Sequence, residues 1–298
     1  MSVPFEQTSS VAAASAAPAP QKSYFTETQQ PIYSAALVLP FMLIYQTGLI
    51  MLKSKVINGG DAIITTLTQS LFRTVGVGAS FASIIVPIGA FLIWQFRKKG
   101  SWSLQPPVLV ANFFESLIYA VVLYMLLNSI VQYLPGNSIT VPRPVPAPAA
   151  AVATQEPSVS RERDPGRGSG TPLAAASRQK AASRRPGVED FVLFCGAGVY
   201  EELVFRVFLL GLLLLVFTKF FHMEHAYAAA WAAVAGAVIF SAFHHIGGEP
   251  FAIGPFLQRI VAGIYFSAIY FTRSFGVAAA SHAMYDIIVG LEMWKHYP

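Results

Sequence analysis

The chain has 298 residues, of which 54% are hydrophobic and only 12% are charged. A soluble domain carries about twice that fraction of charged residues, so the composition excludes an ordinary soluble protein and indicates an integral membrane protein. The net charge of +5 is small and spread along the chain, which favours membrane topology and anionic lipids over nucleic acid as its explanation. Cys195 is the single cysteine, so no intramolecular disulfide can form, and we interpret it as a small buried hydrophobe.

The first part of the chain divides into a polar tail and an apolar front block. Residues 1–30 are rich in Ala, Ser, Pro and Gln without the pattern of a signal peptide, which predicts a disordered tail. Within the front block, 31–135, the spacing of apolar residues over 61–74 predicts a helix that lies at the membrane surface or lines a cavity. Long apolar runs predict three spans in this block, at 31–52, 77–94 and 108–134. Glu115, in the third span, is either a functional acid or a hydrogen-bonded structural one.

A linker and a second apolar block follow. Residues 136–188 are rich in Pro, Ala and Arg without an apolar period, which predicts a disordered linker, and their basic excess favours the cytoplasmic side. The back block, 189–295, contains four predicted spans, at 190–218, 226–245, 255–272 and 275–294. The predicted fold is therefore an all-α polytopic transmembrane bundle with seven spans, or eight if 61–74 is counted. The second span of the back block is rich in Ala and Gly, which predicts close packing of helices.

The first helix of the back block contains two adjacent acids and an arginine. Glu202 and Arg206 are at i and i+4, so they share a helix face and are expected to pair within the membrane. Glu201 points about 100° away from Glu202 and is not explained by that pair. We therefore interpret Glu201 as the first candidate functional residue.

Two other helices of the back block contribute polar side chains at a similar depth. His244 ends the second span, and His282 and Asp286 lie one turn apart in the fourth, whereas we expect no polar contribution from the third. A glutamate beside a histidine can activate water, and a second histidine can donate a hydrogen bond to an oxyanion. The sequence contains neither a Gly-x-Ser-x-Gly elbow nor a His-Glu-x-x-His motif. The pattern predicts hydrolysis of an amide by water without a covalent intermediate.

These residues also resemble a known family. Three motifs in this order resemble those of the CPBP intramembrane proteases, which include CAAX prenyl endopeptidases and bacteriocin-processing or self-immunity (Abi-like) proteins: Glu201-Glu202-x-x-x-Arg206, Phe240-x-x-x-His244 and His282-x-x-x-Asp286. The resemblance covers about 190–294. It implies a glutamate-dependent intramembrane endopeptidase whose site is stabilised by Glu202 and Arg206.

The resemblance also implies a role for each of the other four residues. Glu201 would be the general base, His244 would position the water, and His282 and Asp286 would form the oxyanion side of the site. The prenyl endopeptidases typically carry Asn at the position of Asp286. An ionised Asp cannot donate a hydrogen bond, so Asp286 is either protonated or orients His282.

The expected partners are membrane lipids and a peptide or protein substrate, which the resemblance suggests is prenylated at a C-terminal cysteine. No cofactor is expected, although Glu201, His244, His282 and Asp286 are also a plausible zinc-ligand set, which would make the protein a zinc-dependent protease. Two further alternatives stay open, namely a non-catalytic scaffold or immunity protein and a transporter or proton relay. The Ala, Pro and Arg content of the tail and linker is typical of GC-rich bacterial genomes, so we expect a multi-pass protein of a bacterial inner (cell) membrane.

Overall fold

A computed structural model describes residues 23–52, 59–64, 66, 82–131, 133, 186–246 and 251–296. Within these ranges all regular secondary structure is helical, which confirms the all-α prediction. Residues 59–64 form a short helical segment between the first two long helices. The other helices are α1 (Tyr24–Thr28), α2 (Pro31–Leu52), α3 (Ala82–Lys98), α4 (Pro106–Val131), α5 (Val188–Phe220), α6 (His225–Ile246), α7 (Ile253–Thr272) and α8 (Phe275–His296).

Several sequence predictions fall wholly or partly outside the described residues. This applies to residues 1–22 of the predicted tail, to residues 77–81 of the second span and to residues 136–185 of the predicted linker. The end of the predicted tail differs from expectation, because Tyr24–Thr28 is the helix α1. Of the predicted interfacial helix at 61–74, residues 61–64 are helical, and three of these four side chains are buried rather than exposed at a surface, namely those of Asp61, Ala62 and Ile64.

Four of the described helices are long and apolar enough to cross a membrane: Pro31–Leu52, Pro106–Val131, Val188–Phe220 and His225–His245. They identify a multi-pass integral membrane protein. Helices α7 and α8 occupy the predicted spans at 255–272 and 275–294, but they are not among these four candidate membrane spans. The total of seven or eight spans therefore stays a prediction.

The two faces of α4 show how the membrane helices are oriented. Side chains four residues apart are exposed on one face, which makes that face the lipid side of the helix. These residues are Val110, Phe114, Ile118 and Val122. The opposite face is buried against the rest of the bundle and contains Asn112, Ser116, Ala120, Leu123 and Leu127.

Small residues bring the helices of the back block into close contact. A Cβ atom on Gly198 of α5 would lie only 2.4 Å from the amide nitrogen of Ala283 in α8, so a larger residue could not occupy that position. A Cβ on Gly263 of α7 would lie 2.8 Å from the Cβ of Ala237 in α6. Close approach through small residues is typical of packed membrane helices. The first contact places the acids of α5 next to His282.

Candidate active site

The acids and arginine predicted to matter lie in the middle of α5 and are buried. Glu201 is 6% exposed, Glu202 is 0% exposed and Arg206 is 1% exposed. The helix widens into π-helical geometry over Leu203–Leu209, and such turns often occur at functional sites. An oxygen of Glu202 lies 3.1 Å from Nε of Arg206. This buried ion pair places a cation beside the acids, as the i, i+4 spacing predicts.

Glu202 also binds His282 of α8. Nδ1 of His282 lies 2.9 Å from the second carboxylate oxygen of Glu202, and because a carboxylate accepts, Nδ1 is the donor. The imidazole stacks on the ring of Phe266, with centroids 4.6 Å apart and an angle of 19° between the planes. Glu202 thus holds Arg206 with one oxygen and His282 with the other. These contacts fix the imidazole of His282 in position and orientation.

Glu201 faces His244 of α6. The distance between Oε2 of Glu201 and Nε2 of His244 is 3.8 Å, too long for a direct hydrogen bond. Nδ1 of His244 lies 2.9 Å from the carbonyl oxygen of Phe240, and because a carbonyl oxygen only accepts, Nδ1 donates the hydrogen bond. When the ring is neutral, Nε2 therefore carries the lone pair and faces Glu201 as a hydrogen-bond acceptor. A water beside this pair can hydrogen-bond to both groups.

Asp286 lies one turn after His282, as its spacing predicts, and is 1% exposed. Its Oδ2 is 3.6 Å from Nε2 of His282, beyond the distance of a hydrogen bond. Arg259 of α7 lies near enough to act on Asp286 electrostatically. Asp286 therefore lies within electrostatic reach of an imidazole and a guanidinium.

A pocket adjoins His282, and its lining includes polar side chains that the sequence did not single out as candidates. Its lining is mostly apolar and consists of Leu127, Phe240, Gln258, Arg259, Ala262, Phe266, His282 and Tyr285. The expectation that the third span of the back block contributes no polar group was wrong, because Gln258 and Arg259 are buried at 6% and 4% exposure. The available signal was an arginine within an otherwise apolar helix, which is a functional-site candidate by default.

The geometry also bears on the zinc alternative. Among the described residues, no group of three or more His, Cys, Asp and Glu side chains is arranged to hold a metal ion. The four residues considered as zinc ligands therefore do not converge on one point. The donor set of the described chain does not fit a zinc centre.

Glu115 belongs to a second polar cluster. It accepts hydrogen bonds from Nε and Nη2 of Arg273, the latter at 2.6 Å, and from the hydroxyl of Tyr24 at 2.8 Å. Nη2 of Arg273 also donates to Oγ1 of Thr28 at 3.3 Å. This cluster joins α1, α4 and the turn between α7 and α8. Of the two interpretations of Glu115, the contacts favour the hydrogen-bonded structural residue.

Comparison with known proteins matches the back block to a family. Residues 188–288 match the family model described as "Rce1-like: Type II CAAX prenyl endopeptidase Rce1-like". Residues 188–288 therefore form a domain of this family, in agreement with the resemblance of the three motifs. The front block lies outside the matched residues. Comparisons with curated proteins and with solved structures gave no match.

Proposed function

We propose that this chain, whose residues 188–288 form a type II CAAX prenyl endopeptidase domain, is an intramembrane endopeptidase that cleaves a peptide bond with activated water. The observation that carries the proposal is the pair of Glu201 and His244. The two side chains are buried and face each other at 3.8 Å, and a hydrogen bond to Phe240 orients the imidazole. This arrangement suits a water held between a base and a hydrogen-bond acceptor.

In the proposed reaction, Glu201 takes a proton from the water while Nε2 of His244 accepts the other hydrogen of that water as a hydrogen bond. The water oxygen attacks the carbonyl carbon of the scissile bond, and the carbonyl oxygen becomes an oxyanion. Glu201 then returns its proton to the amide nitrogen, and the C–N bond breaks. The products are a carboxylic acid and an amine, so the reaction needs no group other than water.

The remaining residues support this centre. We assign stabilisation of the oxyanion to the Nε2–H of His282 in its imidazolium form, because Nδ1–H is already donated to Glu202 and only the doubly protonated ring has a second donor. Asp286 faces the same nitrogen at 3.6 Å and orients the ring. Glu202, itself paired with Arg206, holds Nδ1 of His282 on the other side of the ring. An oxyanion donor of this kind typically contributes about 3 kcal/mol to transition-state stabilisation.

The proposed substrate is a peptide or protein chain prenylated at a C-terminal cysteine, in keeping with the description of the family. The mostly apolar residues that line the pocket beside His282 would lie next to the part of the chain that flanks the scissile bond. Lipids would surround the isoprenoid and the exposed apolar faces of the helices. We propose that the protein resides in a bacterial inner (cell) membrane with the linker on the cytoplasmic side.

The test is cleavage of a quenched peptide library, with and without a prenylated cysteine, by the purified full-length protein in liposomes. Wild type is compared with Glu201→Gln and with Glu224→Gln, a matched change at an exposed glutamate in the loop between α5 and α6. We expect cleavage by the wild type and by Glu224→Gln in the presence of a strong chelator, and none by Glu201→Gln.

Other outcomes point to other functions. Loss of cleavage on chelation that zinc restores would replace the glutamate mechanism with a zinc-dependent one. Binding of the prenylated peptide without cleavage, unchanged in Glu201→Gln, would identify a scaffold or immunity protein. Flux of protons or a solute across the liposome without any peptide product would identify a transporter.

A further inference from the structure

A segment of the front block reaches the two turns that hold the proposed catalytic pair. Residues 59–64 are helical and lie far outside the family domain at 188–288. Even so, Gly60 contacts the backbone at Glu201, and Gly59 contacts the side chain that precedes His244. The segment at 59–64 therefore lies against the turn of α5 that contains Glu201 and against the turn of α6 that contains His244.

The contact of Gly60 with α5 is one of backbone against backbone. A Cβ atom on Gly60 would lie 2.6 Å from the carbonyl carbon of Tyr200 and 2.7 Å from the amide nitrogen of Glu201. Both distances are too short for any real side chain, and main-chain atoms cannot rotate aside. A residue larger than glycine at this position must therefore change the fit between the segment and the turn of α5 that carries Glu201.

The neighbouring glycine contacts the other half of the site. A Cβ on Gly59 would lie 3.1 Å from the ring of Phe243, the residue before His244. The ring of Phe243 also packs edge-on against Phe205 of α5, with centroids 5.5 Å apart. The segment thus contacts α5 and α6 at the same level of the bundle.

Hydrogen bonds and ring contacts fix the segment and Tyr200 relative to α2. Asp61 is 4% exposed and accepts a hydrogen bond of 2.9 Å from the hydroxyl of Tyr45. The ring of Tyr45 packs on that of Tyr200, with centroids 5.2 Å apart. The hydroxyl of Tyr200 accepts a hydrogen bond of 2.9 Å from Gln46. Tyr200, which precedes Glu201, is therefore held by α2 and by the segment together.

We propose that Gly59–Asp61 is a positioning segment that sets the separation of Glu201 and His244, so that the front block is a working part of the active site. The proposal rests on the proposed function of that pair. A shift of about 1 Å in a catalytic group can cost about 100-fold in rate, so a contact at this place governs turnover. Substrate binding in the pocket beside His282 depends on other residues and is affected less.

The test compares two glycine-to-alanine variants of the full-length protein. Gly60→Ala adds a methyl group against the backbone of α5, whereas Gly89→Ala on α3 adds it where nothing lies within 4 Å. We expect kcat of Gly60→Ala to fall about 10- to 100-fold with KM changed less than about twofold. We expect Gly89→Ala to keep the kinetic constants of the wild type. Size-exclusion profile and thermal midpoint in detergent report folding.

Two variants that add no volume make the test independent of the folding of Gly60→Ala. Tyr45→Phe and Asp61→Asn each alter the hydrogen bond that anchors the segment, and we expect each to lower kcat about threefold to tenfold, with the double variant no worse than the stronger single one. This non-additive loss in kcat, at unchanged KM, would not follow from a general loss of stability.

The outcomes separate this proposal from the proposed function. Cleavage by the wild type that is absent in Glu201→Gln establishes the function, and a folded Gly60→Ala with the kcat of the wild type then overturns the positioning role alone. If Gly60→Ala does not fold, wild-type kcat in both Tyr45→Phe and Asp61→Asn overturns it. A wild type without peptidase activity overturns the proposed function and this proposal with it.

Discussion

Two glutamates, Glu115 on α4 and Glu201 on α5, stand in helices that are apolar enough to cross a membrane, but their partners differ. Glu115 receives two hydrogen bonds from the guanidinium of Arg273 and one from Tyr24. The guanidinium in turn lies over the ring of Phe25, 4.4 Å from its centroid. Glu201 faces the imidazole of His244 at a distance too long for a direct hydrogen bond.

This difference separates a structural acid from a candidate catalytic one. A carboxylate bonded by a bidentate guanidinium and a hydroxyl is fixed in one geometry, which suits the joining of helices. A carboxylate that faces an imidazole, as Glu201 faces His244, suits proton transfer. An acid within a membrane helix is a functional candidate by default, and the chemical type of the side chain it faces, a guanidinium or an imidazole, favours one role over the other.

The largest expected effect comes from replacing each of these two acids by glutamine, one at a time. Because Glu201→Gln removes the proposed base, we expect kcat to fall by about 10²- to 10⁴-fold with little change in the thermal midpoint. Glu115→Gln should do the reverse, lowering the thermal midpoint while the folded protein keeps a kcat near that of the wild type. Peptide cleavage and thermal unfolding in detergent measure both. Comparable losses of kcat in the two variants would contradict the assignment of a structural role to Glu115 and a catalytic role to Glu201.

The buried ion pair within the site should show a large effect on stability. Arg206→Met keeps most of the volume of the side chain but removes its charge. Glu202 then stays buried with the hydrogen bond from His282 but without the ion pair to Arg206. We expect a loss of about 3 kcal/mol, because removing one member of a buried pair leaves an uncompensated charge. The double variant Arg206→Met, Glu202→Leu is the control. It should recover part of the stability in thermal unfolding, and its failure to do so would contradict the pairing.

The parts of this site that could be predicted are those that depend on local spacing. The contact of Glu202 with Arg206 and the shared face of His282 and Asp286 both follow from the i, i+4 geometry of a helix. The family match at 188–288 likewise agrees with the ordered motifs. Helical periodicity places such side chains on a common face without knowledge of the tertiary structure.

The contacts between distant helices could not be predicted in this way. Arg273 and Glu115 are 158 residues apart in the sequence. Gly60 and Glu201 belong to the front block and the back block, and no local spacing of residues relates these two blocks. The π-helical turn at Leu203–Leu209 also changes the register of α5 without an evident pattern in sequence. The burial of Arg259 in α7 likewise depends on how the helices pack, because an arginine near the end of a span can also reach the membrane surface.

The second cluster offers a smaller and more specific effect. Arg273→Met removes the bidentate partner of Glu115 as well as the donor to Thr28. The carboxylate of Glu115 is partly exposed, so solvent moderates the loss, which we expect to be about 1 to 3 kcal/mol. Thermal unfolding in detergent measures the loss. Lys98→Met, at an exposed lysine of α3, is the control and should have little effect. A folded Arg273→Met protein with a much lower kcat would show that the second cluster takes part in catalysis, which would contradict its structural role.

The smallest effect concerns the hydroxyl of Tyr24 and depends on pH. Burial and the hydrogen bond to Glu115 raise the pKa of Tyr24 from its ordinary 10.0 to about 12. Above about pH 10 the unfolded chain releases this proton while the folded protein keeps it, so the wild type loses stability as the pH rises toward 12. Tyr24→Phe should cost about 1 kcal/mol below that range, through the lost hydrogen bond, and should lack this part of the decline above it.

Thermal midpoints in detergent, measured from neutral pH to about pH 11, test this expectation, with Tyr227→Phe at an exposed tyrosine of α6 as the control. The difference between wild type and Tyr24→Phe should narrow as the pH rises, whereas Tyr227→Phe should follow the wild type throughout. A constant difference would mean that Tyr24 ionises alike in both states, because only a pKa that changes on folding makes stability depend on pH. In that case the hydroxyl would not be bonded to Glu115, and Arg273 would be the main link between that acid and the rest of the bundle.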